Sequence, residues 1–259
     1  MQQRSHPPVV LVIAGNDPSG GAGIAADIQA ITRLGCHPAP VLAALTVQDT
    51  INAYAVEPVS PSFVHDQAAR VLDDLPVRAI KLGLLGTADI GEVVAQLLGR
   101  FPDIPVVTDP VLVAAGGAQL AEDRLVDTFR ERIIPRTTVL TPNAQELRRL
   151  APDATTTRAR AAALLSRGAE WVMAKGGDEK TPAVDNFLFN RNGETHDWTW
   201  ERIDGEHHGS GCTLAAAIAA YLARGEDVPH AVELAQQFTF TALKNGWQLG
   251  RGQRIPDRH

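Results

Sequence analysis

Residues 9–23, VVLVIAGNDPSGGAG, decide the fold class of the chain. The apolar run at 9–14 stops at Gly15, which is typical of a strand buried on both faces of a parallel sheet. After the glycine-rich loop, isoleucines recur at helical spacing up to Gly35, which predicts a helix over 23–34. A strand, a glycine-rich loop and a helix in this order indicate an α/β protein.

The same alternation continues along the chain. Further strand-like runs lie at 39–47, 78–82, 104–108, 137–140 and 170–174, and helical patterns lie at 61–73, 88–100, 121–131 and 156–167. Residues 183–200 differ, because two extended runs flank an Asn-Gly turn and predict a β-hairpin. Two amphipathic helices close the pattern, the first of them ending at Gly225. Repeated strand–helix units predict a mostly parallel sheet with helices on both faces.

The composition bounds the class of protein. At 259 residues, 44% hydrophobic and 21% charged, the chain is typical of a globular protein. With no linker or repeat visible, we expect one domain over 9–250, a flexible N-terminus at 1–8 and a C-terminal tail at 251–259. The net charge of −6 gives no electrostatic reason to expect nucleic acid or an anionic membrane as partner.

The cysteine count and the N-terminal residues indicate the cellular location of the protein. Two cysteines, Cys36 and Cys212, are too few for a disulfide framework and fit a reducing environment. The first residues carry no apolar signal core, and no run reaches the ~18 apolar residues of a membrane span. The sequence therefore predicts a cytoplasmic location.

The polar and glycine-rich loops follow the strands. They are GNDPSGGAG (15–23), DP (109–110), TPN (141–143) and KGGD (175–178). Ligands of open α/β sheets bind outside the carboxyl ends of the strands, so these loops should converge on one cleft.

The first loop matches neither common glycine fingerprint. It lacks the G-x-G-x-x-G of dinucleotide sites and the Gly-Lys-Ser/Thr ending of a P-loop. Its glycines either let backbone N–H groups approach a ligand or only make a tight turn. Asp27, in the following helix, is either a solvated acid or a carboxylate that faces the ligand.

Three other strand ends carry charged or polar candidates. Asn143 and Glu146 form either a capping box or, through Glu146 and water, a Mg²⁺ site. Asp109 either helps to hold the same metal or starts a turn before Pro110. Lys175, beside two glycines, is either a phosphate ligand or an exposed lysine.

The segment HGSGCT (208–213) begins an alanine-rich helix. Its backbone N–H groups predict an anion site suited to a transferring phosphoryl group, and the helix N-terminus is expected to lower the pKa of the Cys212 thiol. A hydrolase nucleophile with His208 as base is an alternative, although the segment is not a G-x-S-x-G elbow. A metal site is disfavoured, since no paired Cys/His spacing is present.

The order of these motifs resembles a known family. GNDPSGGAGI, ALTVQDT (44–50), KLGLLG (81–86), DPVL (109–112), TPNAQE (141–146), KGG (175–177) and HGSGCT occur as in hydroxymethylpyrimidine/phosphomethylpyrimidine kinases, which are ribokinase-like. The resemblance implies a three-layer α/β/α fold and phosphorylation of 4-amino-5-hydroxymethyl-2-methylpyrimidine, or its monophosphate, in thiamine biosynthesis. It further implies ATP and Mg²⁺ as cofactors, allows a monovalent cation, and implies a homodimer.

The resemblance also assigns residues. Those of the pyrimidine pocket would be Gly15, Asp17, Gly21, Ala22, Gly23, Asp27, Gln48, Leu84 and Val111. Those of the ATP site would be Asn143, Lys175, Gly176, Gly177 and Thr213, with Glu146 and Asp109 for the metal. Those of the anion hole would be Gly209, Ser210, Gly211 and Cys212. Cys212 would accept a proton, or would only fill a place where a carboxylate would repel phosphate.

The chain departs from the family pattern at three positions. Leu84 replaces a frequent methionine, Ala115 stands near a frequent lysine, and Asp178 replaces the histidine of KGGH. The last two changes remove positive charge near the phosphates. A pyridoxal-type kinase and a non-catalytic pyrimidine-binding protein are alternative functions for the chain. Gln48 favours a pyrimidine as the ligand, because its amide both donates and accepts hydrogen bonds.

Overall fold

The computed structural model describes residues 6–112 and 123–259. The strands in these ranges are β1 (Val9–Asn16), β2 (His37–Gln48), β3 (Ala53–Pro58), β4 (Val77–Leu82), β5 (Val106–Thr108), β6 (Val139–Leu140), β7 (Trp171–Ala174), β8 (Ala183–Asn190) and β9 (Thr195–Glu201). They form one sheet in the order β3-β2-β1-β4-β5-β6-β7-β8-β9. The central strands β2, β1 and β4 to β7 run parallel, and β3, β8 and β9 pair antiparallel with a neighbour.

Helices cover both faces of this sheet. They are α1 (Gly23–Arg33), α2 (Pro61–Asp74), α3 (Ala88–Arg100), α4 (Asp123–Thr128), α5 (Ala144–Leu150), α6 (Thr157–Ser166), α7 (Ser210–Ala223) and α8 (Val228–Lys244). One apolar core joins the sheet to α1, α7 and α8, and the other joins it to α2 through α6. The predicted three-layer α/β/α fold is confirmed. No helix in the described ranges combines the length and apolarity that a membrane span requires.

Strand β3 is the main element that the sequence pattern did not predict. It pairs antiparallel with the end of β2 and makes a hairpin at the edge of the sheet. Its sequence AYAVEP has no fully buried residue and ends in proline, so it lacks the apolar run of a central strand. The hairpin leaves Leu45, Val47, Ile51 and Tyr54 exposed.

The segment 251–259, predicted to be a tail outside the domain, packs against the domain instead. The backbone of Trp247 exchanges hydrogen bonds of 2.8 and 2.9 Å with that of Ile255. The Asp257 N–H donates to the carbonyl of Ala242 in α8 over 2.9 Å. Ile255 and Arg258 are buried. The predicted flexible N-terminus falls mostly on residues 1–5, which lie outside the described ranges.

Candidate active site

Asp17 organises the first glycine loop, residues 15–23. Its carboxylate accepts hydrogen bonds from the backbone N–H groups of Ser19 at 2.8 Å and Ala22 at 2.7 Å, and it lies 2.8 Å from Nε2 of His208. Burial favours the neutral acid, but the bonds from His208 and Ser19 prevail and lower the pKa of Asp17. Asp17 is buried, and its hydrogen bonds hold the shape of the loop; its assignment to the pyrimidine pocket stays a prediction.

The second glycine loop, residues 208–213, packs directly on the first. Gly209, the N-cap of α7, has φ +75°, a left-handed conformation that favours glycine. A Cβ atom at Gly209 would overlap the carbonyl oxygen of Gly21 and lie 2.9 Å from Cα of Ala22. The two loops that the sequence predicts to bind ligands therefore touch through their glycines.

Asp27 forms a fully buried ion pair that the sequence analysis missed. Nζ of Lys81, in β4, lies 2.8 Å from Oδ2 of Asp27, and Oδ1 has no hydrogen-bond partner among the described residues. Burial raises the pKa of Asp27 to about 6 against the opposing effect of Lys81. Burial alone would lower the pKa of Lys81, but Asp27, Cys212 and Asp109 raise it instead. Lys81 inside the buried run AIKL (79–82) was the available signal, since a buried charge requires a partner.

Cys212 does not have the lowered pKa that its helical position predicts. Burial raises its pKa to about 11, and the nearby carboxylates Asp27 and Asp109 add to this effect. Lys81 and a hydrogen bond from the Gly23 backbone act in the opposite direction without prevailing. Loss of water and two negative neighbours thus outweigh the helix N-terminus, and the thiol form is favoured at neutral pH.

His208 forms its hydrogen bonds with residues other than Cys212. Its ring bonds Asp17, as described above, and its backbone N–H donates to the carbonyl of Arg254 over 2.8 Å. A hydrolase reading needs this imidazole to deprotonate a reactive thiol. The partner of His208 and the raised pKa of Cys212 both argue against that reading.

On the other side of α7, Lys175 pairs with Asp109. Nζ of Lys175 lies 3.0 Å from Oδ1 of Asp109, and both side chains are largely buried. A Cβ atom at Gly211 would lie 3.2 Å from Nζ of Lys175 and 3.5 Å from Oδ2 of Asp109. The absence of a side chain at Gly211 therefore lets the start of α7 approach this ion pair.

Asn143 and Glu146 form the capping box. Asn143 Oδ1 accepts from the Glu146 N–H at 2.9 Å, and Glu146 Oε2 accepts from the Asn143 N–H at 2.9 Å. Burial raises the pKa of Glu146 to about 7, with Lys175 lowering it and Asp109 raising it further. Lys175, which pairs with Asp109, is thus also among the charges that act on Glu146. A cation beside Glu146 would offset the cost of burying its carboxylate, so Glu146 with Asp109 fits Mg²⁺ held partly through water.

A cleft of about 680 Å³ opens beside these residues and under the β8–β9 hairpin. Its lining includes Asn143, Lys175, Gly177, Trp200, Ser210 and Gly211. Asn186 of β8 supports one wall, since its Oδ1 accepts from the Gly176 N–H at 3.0 Å and its Nδ2 donates to Gln236 of α8 at 2.8 Å. The volume lies within the range of small-molecule and cofactor sites.

The remaining pocket candidates are Gly15, Leu84, Val111 and Gln48. A Cβ atom at Gly15 would lie 2.9 Å from the side chain of Leu84, so these two residues lie against each other. Val111 follows the turn at Asp109, to whose carbonyl its N–H donates over 2.9 Å. Gln48 lies at the end of β2, three residues beyond the last pair that β2 makes with β1.

Thr213 does not reach the cleft. It is fully buried, and its hydroxyl donates to the carbonyl of Gly209 at 2.8 Å and accepts from Nε of Arg258 at 2.8 Å. Its hydroxyl is occupied by these two hydrogen bonds, and its assignment to the ATP site stays a prediction. Its role is to close the first turn of α7.

One departure from the family pattern, Asp178, lies in the lining of the cleft. The carboxylate of Asp178 accepts from the backbone N–H groups of Ala144 at 3.0 Å and Gln145 at 3.2 Å, at the start of α5. It therefore ties the loop after β7 to the helix that carries Glu146. Ala115 lies outside the described residues.

Fold and site together define a class of protein. The cleft and the first glycine loop meet at the N-terminus of one buried helix, with charged residues at the ends of neighbouring parallel strands, which is the arrangement of a ribokinase-like small-molecule kinase. The chain belongs to the phosphomethylpyrimidine kinase family, whose model matches residues 17–257.

Individual relatives agree with this assignment. The chain is 40% identical to a hydroxymethylpyrimidine/phosphomethylpyrimidine kinase of Streptomyces coelicolor, over 95% of this chain and 92% of the relative. A pyridoxal kinase from Staphylococcus aureus, solved with AMP-PCP and pyridoxal, superposes with a TM-score of 0.89 at 28% identity, covering 98% of this chain and 94% of the other. A phosphomethylpyrimidine kinase from Clostridium difficile superposes with a TM-score of 0.79 at 28% identity, covering 91% and 99%. The predicted family and the kinase activity are confirmed.

Proposed function

We propose that this kinase transfers the γ-phosphoryl group of ATP to the hydroxymethyl group of 4-amino-5-hydroxymethyl-2-methylpyrimidine, and a second phosphoryl group to the resulting monophosphate. One observation carries this proposal. The start of α7 is in contact with the first glycine loop through Gly209 and with the Lys175–Asp109 pair through Gly211. An acceptor on one side and a nucleotide on the other would therefore meet at the same backbone amides.

The acceptor side suits an aminopyrimidine. Oδ1 of Asp27 is buried without a partner and can accept a hydrogen bond from an amino group or a protonated ring nitrogen. The amide of Gln48 can serve a ring nitrogen and an amine together. Gly15 and Leu84 provide an apolar wall for the flat ring.

The amides of Gly209 to Cys212 would stabilise the charge of the transferring group. In the first step the hydroxymethyl oxygen bonds to the γ-phosphorus, the bond from phosphorus to the bridging oxygen breaks, and the hydroxyl proton is released. In the second step the nucleophile is a phosphate oxygen that is already anionic. The raised pKa of Cys212 supports a neutral thiol, which adds no charge beside two phosphates. We therefore favour the reading in which Cys212 keeps this position free of a carboxylate.

Mg²⁺ is proposed as the metal of the nucleotide. Glu146 and Asp109 would hold it, in part through water, and the ion would neutralise charge on the phosphates. Lys175, paired with Asp109, would add a positive charge on the same side. Asn143 would position Glu146 through the capping box.

The test is phosphoryl transfer from ATP with Mg²⁺ to the hydroxymethylpyrimidine and to its monophosphate, each supplied separately. Release of ADP and the new phosphorus NMR signal of the product are measured. We expect turnover with both acceptors. Turnover with neither would refute the proposal, and turnover with one would assign the enzyme to that step alone.

A second activity, on a vitamin B6 alcohol, is also proposed. It is supported by the pyridoxal kinase from Staphylococcus aureus, whose TM-score exceeds that of the phosphomethylpyrimidine kinase. Both acceptors carry a hydroxymethyl group on a six-membered nitrogen ring. The measurement is kcat/KM for pyridoxal in the same assay, expected to be well below that for the pyrimidine.

The exposed hairpin and the two free cysteines support proposals for the assembly and the location. We propose a homodimer whose contact includes the β2–β3 hairpin, since Leu45, Val47, Ile51 and Tyr54 are exposed there. Both cysteines are free thiols, which supports a reducing, cytoplasmic location.

A further inference from the structure

Arg258, in the segment predicted to be a tail, is buried in the centre of the site. Only 1% of its surface is exposed. Nη2 donates to the carbonyl of Gly21 at 2.6 Å, Nε to Oγ1 of Thr213 at 2.8 Å, and Nη1 to Oε1 of Gln29 at 3.0 Å. The guanidinium therefore bonds the first glycine loop, α7 and α1 at once.

Burying a guanidinium is costly unless its donors and its charge are matched. Burial lowers the pKa of Arg258, and the neighbouring Cys212, Asp27 and Asp17 oppose this effect. The cation thus lies among groups of the acceptor side. The family match ends at residue 257, so this arginine falls outside the matched range.

We propose that Arg258 is a positioning residue that fixes the acceptor pocket relative to the anion-binding amides of α7. This inference rests on the proposed function, because it assigns the two loops their roles in phosphoryl transfer. It concerns no direct contact with either substrate.

The bonds form a closed connection between the two loops. Arg258 holds the Thr213 hydroxyl, Thr213 holds the carbonyl of Gly209 at 2.8 Å, and Gly209 lies against Gly21, which Arg258 also bonds. A change at any point of this ring shifts the acceptor loop against the start of α7. Displacements of about 1 Å between reacting groups can cost on the order of 10²-fold in rate.

Other ties remain when Arg258 is removed. His208 still bonds Asp17, and none of the hydrogen-bond partners of Arg258 lines the nucleotide cleft. We therefore expect Arg258→Gln to fold and to bind nucleotide, but to hold the two glycine loops in the wrong relative position. The kcat value should fall by about 10- to 100-fold, while KM for ATP changes by less than about threefold.

The test compares Arg258→Gln and Arg258→Lys with Arg254→Gln. Arg254 lies in the same segment, and its side chain donates to the backbone carbonyl of Gly246 rather than to either glycine loop. Its own backbone carbonyl accepts from the His208 N–H, and this bond does not depend on the side chain that Arg254→Gln replaces. We expect Arg254→Gln to lower thermal stability to a similar extent but to leave kcat near that of the parent. Arg258→Lys retains the charge but not the planar fork, so its kcat should stay at least about fivefold below the parent.

A second readout does not depend on activity. Hydrogen–deuterium exchange of the backbone amides at 17–23 and 208–213 should increase in Arg258→Gln and not in Arg254→Gln. Unchanged exchange in both loops, an equal loss of kcat in the Arg254 control, or full recovery by lysine would overturn the inference. If the parent enzyme phosphorylates neither pyrimidine, the proposed function fails, and the exchange experiment still decides whether Arg258 holds the loops together.

Discussion

Nζ of Lys81 lies 2.8 Å from Oδ2 of Asp27, and neither side chain is exposed to water. The pair spans β4 and α1 beneath the first glycine loop. A buried pair of this kind contributes little net stability, but removal of one partner leaves an uncompensated charge. Lys81 therefore favours the ionised form of Asp27, whose other carboxylate oxygen has no hydrogen-bond partner among the described residues. The proposed role of Asp27 is to accept a hydrogen bond from the pyrimidine through that oxygen.

Lys81→Met should destabilise the protein by about 3–5 kcal/mol, because Asp27 loses its counter-charge in the interior. The free energy of unfolding from urea denaturation measures this loss. The double variant Lys81→Met/Asp27→Leu should recover much of the stability, since it removes both charges, yet it should not phosphorylate the pyrimidine. A single Lys81→Met variant as stable and active as the parent would contradict the assigned role.

Glu146 predicts the pH dependence of Mg²⁺ binding. Its pKa is about 7, so it is mostly protonated below pH 7 and ionised above it. Apparent Mg²⁺ affinity in the presence of nucleotide should rise with pH through 7 and then level off. Mg²⁺ titrations of parent and Glu146→Gln at each pH isolate the contribution of Glu146 from that of the nucleotide. Equal pH dependence in both proteins would remove Glu146 from the metal site.

The raised pKa of Glu146 also predicts how the stability of the metal-free protein changes with pH. The raised pKa means that the folded state keeps a proton between pH 4.5 and about 7 that the unfolded state releases. The contribution of Glu146 to stability therefore falls as pH rises through this window. Thermal denaturation without Mg²⁺ should show this fall in the parent, and Glu146→Gln should lack that component.

Cys212 should react slowly with iodoacetamide at pH 7 to 8, and faster only as pH approaches about 11. The variant Cys36→Ala leaves Cys212 as the single thiol for this measurement.

Cys212→Asp should slow phosphorylation of the monophosphate more than that of the alcohol, because a carboxylate would stand beside two phosphates. If both steps slowed equally, the charge argument for cysteine would be wrong.

Asp178 is expected to weaken ATP binding while it caps α5. Asp178→Asn keeps an oxygen for the N–H groups of Ala144 and Gln145 but removes the charge, so KM for ATP should fall by about two- to fivefold at low salt. Asp178→Ala should lower KM similarly and also cost about 1 kcal/mol of stability through loss of the cap. Titration of ATP at two salt concentrations checks the electrostatic origin, and an unchanged KM in both variants would refute it.

The exposed hairpin predicts the oligomeric state. Val47→Glu places a charge among Leu45, Ile51 and Tyr54, and it should convert a dimer into a monomer in light-scattering measurements. Glu57 lies opposite Leu45 on the neighbouring strand β3, and Glu57→Gln serves as the control because it alters charge at this face while every apolar side chain named here stays in place. A parent protein that is already monomeric would refute the proposed homodimer.

Most of the strand and helix pattern could be read from the sequence, because buried parallel strands and amphipathic helices leave strong local patterns. The β8–β9 hairpin was predicted from its Asn-Gly turn, whereas β3 was not, since an exposed edge strand has no apolar run. The capping box at Asn143 was also visible, because it depends on residues three apart.

The sequence by itself determined the family, the three-layer fold and the loops that gather at one edge of the sheet. Only the tertiary structure decided which groups oppose each other there. Lys81 opposite Asp27, Lys175 opposite Asp109 and Arg258 between Gly21 and Thr213 are pairings between residues far apart in the chain. The raised pKa of Cys212 has the same origin, since local position predicts a lowered value and burial beside two carboxylates reverses it. Burial and long-range charge depend on which elements pack together, and no local pattern encodes them.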